Sequence, residues 1–156
     1  AVPTPVALDR TTASSAPITG NFLNTSGSDV IITYTITPFS TIGNCQGDPF
    51  DVLVTIHPSP TANAVNNVTV CSGSTLNENL QALITNGVAS QFRYTVSSSN
   101  PIAVFPGANR TVASASPITD TYINTSGADV TITYTVTPIS GNSCEGTPFE
   151  VRVRVQ

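Results

Sequence analysis

The sequence predicts an all-β chain of tandem immunoglobulin-like Greek-key β-sandwiches, with about seven short strands in each repeat. Three observations carry that expectation. Residues 124–138, "NTSGADVTITYTVTP", restate residues 24–38, "NTSGSDVIITYTITP", 100 positions later. The clearest strand candidates alternate apolar and polar side chains, which sets one sheet face on a core and the other in water. Turn sequences such as "SGS", "NG" and "PG" separate them, and no long helical periodicity competes.

The repeat sets the domain organisation. Between 10–40 and 110–140, 20 of 31 positions are identical, including Arg10/Arg110, Asn24/Asn124, Asp29/Asp129 and Tyr34/Tyr134. The register then slips by one residue, after which Cys45 matches Cys144, Gly47 matches Gly146 and Phe50 matches Phe149. A fixed period marks an array of similar units, and 100 residues is a common size for one small domain. Residues 58–156 hold one complete repeat, whereas 1–57 hold only the C-terminal half of another. The expectation is that the natural polypeptide is longer, or that a neighbouring molecule completes the first half-repeat by strand complementation.

Each element of the full repeat has its own signal. Strands are expected over 65–70, 91–96, 102–105 and 118–123. In 130–137, Val130, Ile132, Tyr134 and Val136 share one face and four Thr share the other. In 149–156, Phe149, Val151, Val153 and Val155 alternate with Glu150, Arg152, Arg154 and Gln156. These last two strands should form a terminal hairpin across "ISGNSCEGT", and Arg152 and Arg154 read as charges that keep an exposed edge strand from pairing further. Only "LNENLQALI", 76–84, has room for a helical turn or two. In the junction "IHPSPTANAV", two prolines fix φ and remove donors, so the last strand cannot run on into the next unit. His57 sits in that junction and matches Gln156 in the repeat, which makes it a solvated linker residue.

Composition narrows the function. The chain has no Lys, no Met and no Trp, five Arg against nine acidic residues, and a net charge of -4. Charged residues make up 9%, against about 25% in ordinary domains. Nucleic acid and anionic membrane surfaces both call for clustered cations, so neither is an expected partner. No apolar run approaches the length of a membrane helix.

Three cysteines are accounted for by the repeat. Each complete unit carries an early cysteine (Cys71) and a late one (Cys144), and Cys45 is the late cysteine of a unit whose early half is missing, where its partner is expected. A disulfide between Cys71 and Cys144 is the favoured pairing, and would stabilise the fold by about 4 kcal/mol in the chain-entropy picture. A bond between Cys45 and Cys71 would instead staple adjacent units. No second Cys or His lies at ligand spacing, so no metal is expected.

The combined order of motifs carries a family resemblance. "ITYTVTPISGNSCEGTPFEVRVRV" and "IITYTITPFSTIGNCQGDPFDVLVTIHPSP", followed by "VTVCSG", resemble the PKD-like repeats of very large Bacteroidota cell-surface adhesins. The likeness covers 10–57 and 58–156, nearly the whole chain. It implies immunoglobulin-like domains in secreted adhesins, stalks or surface filaments, and it brings no catalytic residues. The chain departs from many relatives at "FRYTVSSS", where Phe92 and Tyr94 stand in place of a Trp on the central strand.

Catalysis and cofactors are not expected. The full repeat contains no His, so no Ser-His-Asp or Cys-His set can be assembled there. "CSGS" and "SSSN" lack the strand-to-helix elbow of a nucleophile, and Glu78, Asp120, Asp129, Glu145 and Glu150 are scattered among turns and outward positions. Asp129 and the carbonyls of "TSGADV" are oxygen donors of the kind calcium takes, but one Asp in such a loop is also common for turn reasons alone. Tyr94, Tyr122, Tyr134 and Phe22 share a phase with apolar neighbours and read as core. Sequons stand at Asn24, Asn67, Asn109 and Asn124; in a host that glycosylates Asn they would mark exposed loops. The expected partners are neighbouring repeats of the same polypeptide or filament, in a structural segment of a surface stalk or fibril that also contributes adhesion. The alternative is a module that binds a surface glycan or protein through exposed aromatics.

Overall fold

The computed structural model of the chain describes residues 10–104 and 106–156, and these divide between two compact units, Ala1–Pro58 and Ser59–Gln156. In the first, β1 (Val30–Ile36) and β2 (Phe50–Ile56) form an antiparallel hairpin with Val30 opposite Ile56 and Ile36 opposite Phe50. In the second, β3 (Val65–Val70), β4 (Ser90–Ser98), β5 (Arg110–Ser114), β6 (Val130–Ser140) and β7 (Phe149–Val155) make one sheet in the order β3-β7-β6-β4-β5. The strands pair antiparallel except β3, which runs parallel to β7. The protein is all-β, with an immunoglobulin-like β-sandwich architecture.

The alternation seen in the sequence builds the core of the second unit. Val130, Ile132, Tyr134 and Val136 of β6 meet Phe149, Val151, Val153 and Val155 of β7, and all eight side chains are buried with Phe92 and Tyr94 of β4. The hairpin register, Val130 opposite Val155 and Val136 opposite Phe149, repeats that of β1 and β2. A thinner second layer closes the core. Residues 73–78 and 118–122 run side by side, joined by bonds from the Leu76 amide to the Asp120 carbonyl (2.8 Å) and between Glu78 and Ile118 in both directions (3.0 Å). This layer buries Leu76, Leu80, Ile118 and Tyr122 against the sheet.

Several sequence expectations need correction in detail. The segment 118–123 forms no continuous strand: it pairs through isolated bridges at Ile118 and Thr121, while the side chains of Asp120 and Tyr122 meet the Tyr134 hydroxyl. Residues 102–104 form a turn, with the Val104 amide bonded to the Asn100 carbonyl and the Ala103 amide to the Asn100 side chain; Phe105 lies outside the described residues. The unexpected β5 is an edge strand whose one large apolar residue, Val112, faces solvent, so no alternation announced it. The helical turn is a 3-10 turn, Leu80–Leu83, capped by the Asn79 side chain, which accepts from the Gln81 amide. Strand β7 is not an edge: β3 covers one side and β6 the other, so Arg152 and Arg154 guard no open edge.

Candidate functional site

The repeated "NTSG" stretch is a loop stitched by its own side chains. In the second unit Asn124 donates through Nδ2 to the carbonyls of Ala128 (2.8 Å) and Val155 (2.9 Å). Its Oδ1 accepts from the amide and hydroxyl of Ser126 (3.0 and 2.7 Å). Gly127 supplies the positive φ of 73° that the turn requires. Asn24 does the same in the first unit, donating to Ser28 and Ile56 at 2.8 Å and accepting from Ser26. The motif thus ties each loop to the last residue of the final strand. Asn24 is buried and its amide is fully used, so the sequons at 24 and 124 mark structural Asx loops, whereas Asn67 and Asn109 are exposed.

Asp129 ends this loop, and its carboxylate is engaged by Arg154, whose Nε donates at 2.5 Å. The Ala128 carbonyl is likewise taken by Asn124 and by the Ser126 hydroxyl. These oxygens already hold donors, and among the described residues no three His, Cys, Asp or Glu side chains gather at metal-binding distances. In the first unit the position of Arg154 is taken by Thr55, and Asp29 pairs with His57 Nδ1 at 2.9 Å. His57 is therefore not a merely solvated linker residue; it supplies the partner that the missing arginine would have been.

A buried polar cluster lies beneath the sheet. The Tyr134 hydroxyl donates to Asp120 Oδ2 at 2.5 Å. The Tyr122 hydroxyl lies within hydrogen-bond distance of Tyr134, Asp120 (3.3 Å) and the Pro106 carbonyl (3.2 Å). Tyr94 packs edge-on against Tyr134, ring centroids 5.2 Å apart, and the Arg110 guanidinium stacks over Tyr94 at 4.7 Å. Arg110 also clamps the carbonyls of Ser116 (2.8 Å) and Pro117 (3.0 Å), as Arg10 clamps Ala16 (2.8 Å) and Pro17 (3.2 Å) in the first unit. Burial, more than any charge, pushes the Tyr122 phenol up to about 12 and raises Tyr134 further. Such phenols stay protonated at physiological pH and hold the core together, offering neither a base nor a nucleophile.

The outer face of the sheet is polar and internally neutralised. Arg93 pairs with Glu145 (2.8 Å) and Arg152 with Glu150 (2.6 Å), beside the Thr row of β6. The large apolar side chains exposed in the second unit are Val65, Ile102, Val112 and Ile123, and none of its described aromatic residues is among them. A shallow cleft of about 350 Å³ between the ends of β4 and β6 is lined by Ala89, Ser90, Gln91, Ile139, Ser140, Gly141 and Ser143, none of which bears a charge.

Cys71 and Cys144 stand far apart. Cys71 follows β3 at the end where Val130 and Val155 pair, flanked by bonds from the Gln156 amide to the Val70 carbonyl (3.0 Å) and from the Ser72 amide to the Gln156 carbonyl (2.9 Å). Cys144 sits at the other end of β6, where its carbonyl accepts from the Ser140 amide at 3.0 Å. Ten strand steps separate Val130 from Ser140, about 33 Å at roughly 3.3 Å per residue. A disulfide needs Cα atoms within roughly 7 Å. The bond expected between Cys71 and Cys144 of one unit therefore does not fit this fold. Cys45 occupies the same place as Cys144 on its own hairpin, with its carbonyl accepting from the Ser40 amide at 2.9 Å.

Comparison with known families rests on both halves of the chain. A family model for the PKD-like domain matches residues 6–60 and again residues 68–156. The chain belongs to the PKD-like domain family. Its two matches follow the internal repeat, and the PKD-like pattern covers the hairpin, the Cys-Gly loop and the Asn-stitched loop of each unit. No curated protein and no solved structure matches the chain. Among the described residues no helix is long and apolar enough to cross a membrane.

Proposed function

We propose that this chain is a structural segment of an extracellular surface protein of the Bacteroidota adhesin kind, serving as a stalk or fibril of PKD-like repeats and contributing adhesion through its exposed faces. The observation that carries this reading is the placement of chain entry and exit in the second unit. Pro60 enters beside Gly146, which packs so closely on the Pro60 carbonyl that a Cβ there would lie 2.0 Å from the oxygen. Gln156 leaves beside Cys71, at the opposite end of β6 and β7. A unit entered at one pole and left at the other adds length with every copy, which is the economy of repeat arrays.

The absence of exposed aromatics among the described residues of the second unit favours the spacer over the glycan-binding alternative. Intact mass and surface proteolysis of the material as isolated from its source test the proposal. A species far larger than 16.1 kDa, released by protease from intact cells, is the expected result. A discrete intracellular chain near that mass would overturn it.

A further inference from the structure

Cys71 and Cys144 have no use for each other in this fold, yet each sits at a pole where the chain passes to another repeat. The early cysteine lies at the exit pole: Cys71 is held between the two hydrogen bonds that join β3 and the turn after it to Gln156. The late cysteine lies at the entry pole: Cys144 is two residues from Gly146, the residue pressed on Pro60. Asn86 fixes that entry by donating to the Ser59 carbonyl (2.9 Å) and accepting from the Thr61 amide (3.1 Å). Both poles are therefore tied by hydrogen bonds, and both cysteines are accessible to some degree, Cys71 exposed and Cys144 half-buried.

We infer that the cysteines clamp successive repeats, the early cysteine of one repeat forming a disulfide with the late cysteine of the repeat that follows it. In a tandem chain the exit residue of one unit and the entry residue of the next are separated only by a "PSP" linker. From His57 to Pro60 is three residue steps, at most about 11 Å of chain. Within one repeat, by contrast, the two cysteines are a full strand length apart. The other conceivable pairing, Cys45 with Cys71, joins an entry-pole cysteine to the exit-pole cysteine of the next repeat, neither of which lies at the pole where the chain passes between the two.

The chemistry is a two-electron oxidation. Two S–H bonds break, one S–S bond forms, and the two protons and two electrons pass to a disulfide oxidant, which leaves as two thiols. On this assignment Cys144 takes the early cysteine of the repeat before it, and Cys71 takes the late cysteine of the repeat after it. The clamp would stiffen each joint that the two prolines already restrict.

The inference rests on the tandem reading, and the test separates the two. The full chain is extended after Gln156 by a second copy of residues 58–156. One variant keeps only Cys71 of the first copy and Cys144 of the second; a control keeps only Cys71 and Cys144 of the second copy, all other cysteines being replaced by Ser. Both are held at micromolar concentration with oxidised glutathione, and thiols are counted with peptide mapping. The expected result is loss of both thiols to one internal disulfide in the first variant and retention of both in the control, with equal far-UV circular dichroism. Closure in the control, or two persisting thiols in a folded first variant, would overturn the clamp. Solution scattering on the same samples reads whether the array is extended, whatever the thiols do.

Discussion

The two hairpins of this protein carry related sequences in the same register, yet they are buried to very different degrees. Phe149 and Val151 are 2% and 0% exposed, whereas their counterparts Phe50 and Val52 are 51% and 37% exposed. Val30 faces Ile56 just as Val130 faces Val155, and Asn24 stitches its loop as Asn124 does. The hairpin and its stitched loop are thus local products of sequence. Burial comes from elsewhere: in the second unit β3 and β4 flank the hairpin, and Leu76, Leu80, Ile118 and Tyr122 cover its inner face. The comparison separates what the hairpin builds by itself from what it takes from the strands and segments packed on it.

The sharpest way to break that comparison is at the paired phenylalanines. Phe149→Ala should destabilise the second unit by about 3–5 kcal/mol, the cost of a large cavity in a closed core. Phe50→Ala should cost about 1 kcal/mol or less, as expected of an exposed side chain. Chemical denaturation followed by circular dichroism measures both, and equal losses would mean that the two faces are equally covered.

The tyrosine cluster comes next, since it belongs to one unit only: Asp120 and Tyr122 are replaced by Gly20 and Phe22 in the other. Asp120→Asn removes the charged acceptor of the Tyr134 hydroxyl and should cost about 2 kcal/mol. The same cluster makes the second unit sensitive to alkali. A phenol whose folded pKa is raised from 10 to about 12 stabilises the fold fully below pH 10 and loses that contribution as pH rises toward 12. Thermal melts between pH 9 and 12 should show this loss, and Tyr122→Phe should blunt it.

Smaller effects should be shared rather than divided. Asn124→Ala and Asn24→Ala each strip donors from two carbonyls, and each should cost about 1–2 kcal/mol, because the loop is local to both hairpins. Asp129→Asn and Asp29→Asn break exposed pairs and should change stability by less than about 1 kcal/mol each. A large effect at either aspartate would show that the ion pair holds more than its own loop.

Much of this was legible in the sequence where a signal is local and periodic. The alternation of Val130 to Val136 and of Phe149 to Val155 placed both strands and their core face, and a phase shared with apolar neighbours placed Tyr122 and Tyr134 inside. Strand β5 was not legible, because an edge strand with a single exposed Val has no alternation to display. The parallel pairing of β3 with β7 was hidden for a different reason: it joins residues more than 80 positions apart, and nothing in either strand names its neighbour. The cysteines show the limit most plainly. Counting suggested that Cys71 and Cys144 belong together, but only the register of β6 and β7 shows that they occupy opposite poles. Asp29 illustrates a compensation that alignment alone conceals, since its side-chain partner moved from the position of Arg154 to His57.

The central claim is that a PKD-like unit entered at one pole and left at the other makes a spacer. Small-angle scattering on the chain extended by one, two and three further copies of residues 58–156 tests it directly. The maximum dimension should rise by a constant increment, roughly 35 Å per copy from the length of β6. Growth as the cube root of mass, as for repeats that collapse on one another, would contradict it.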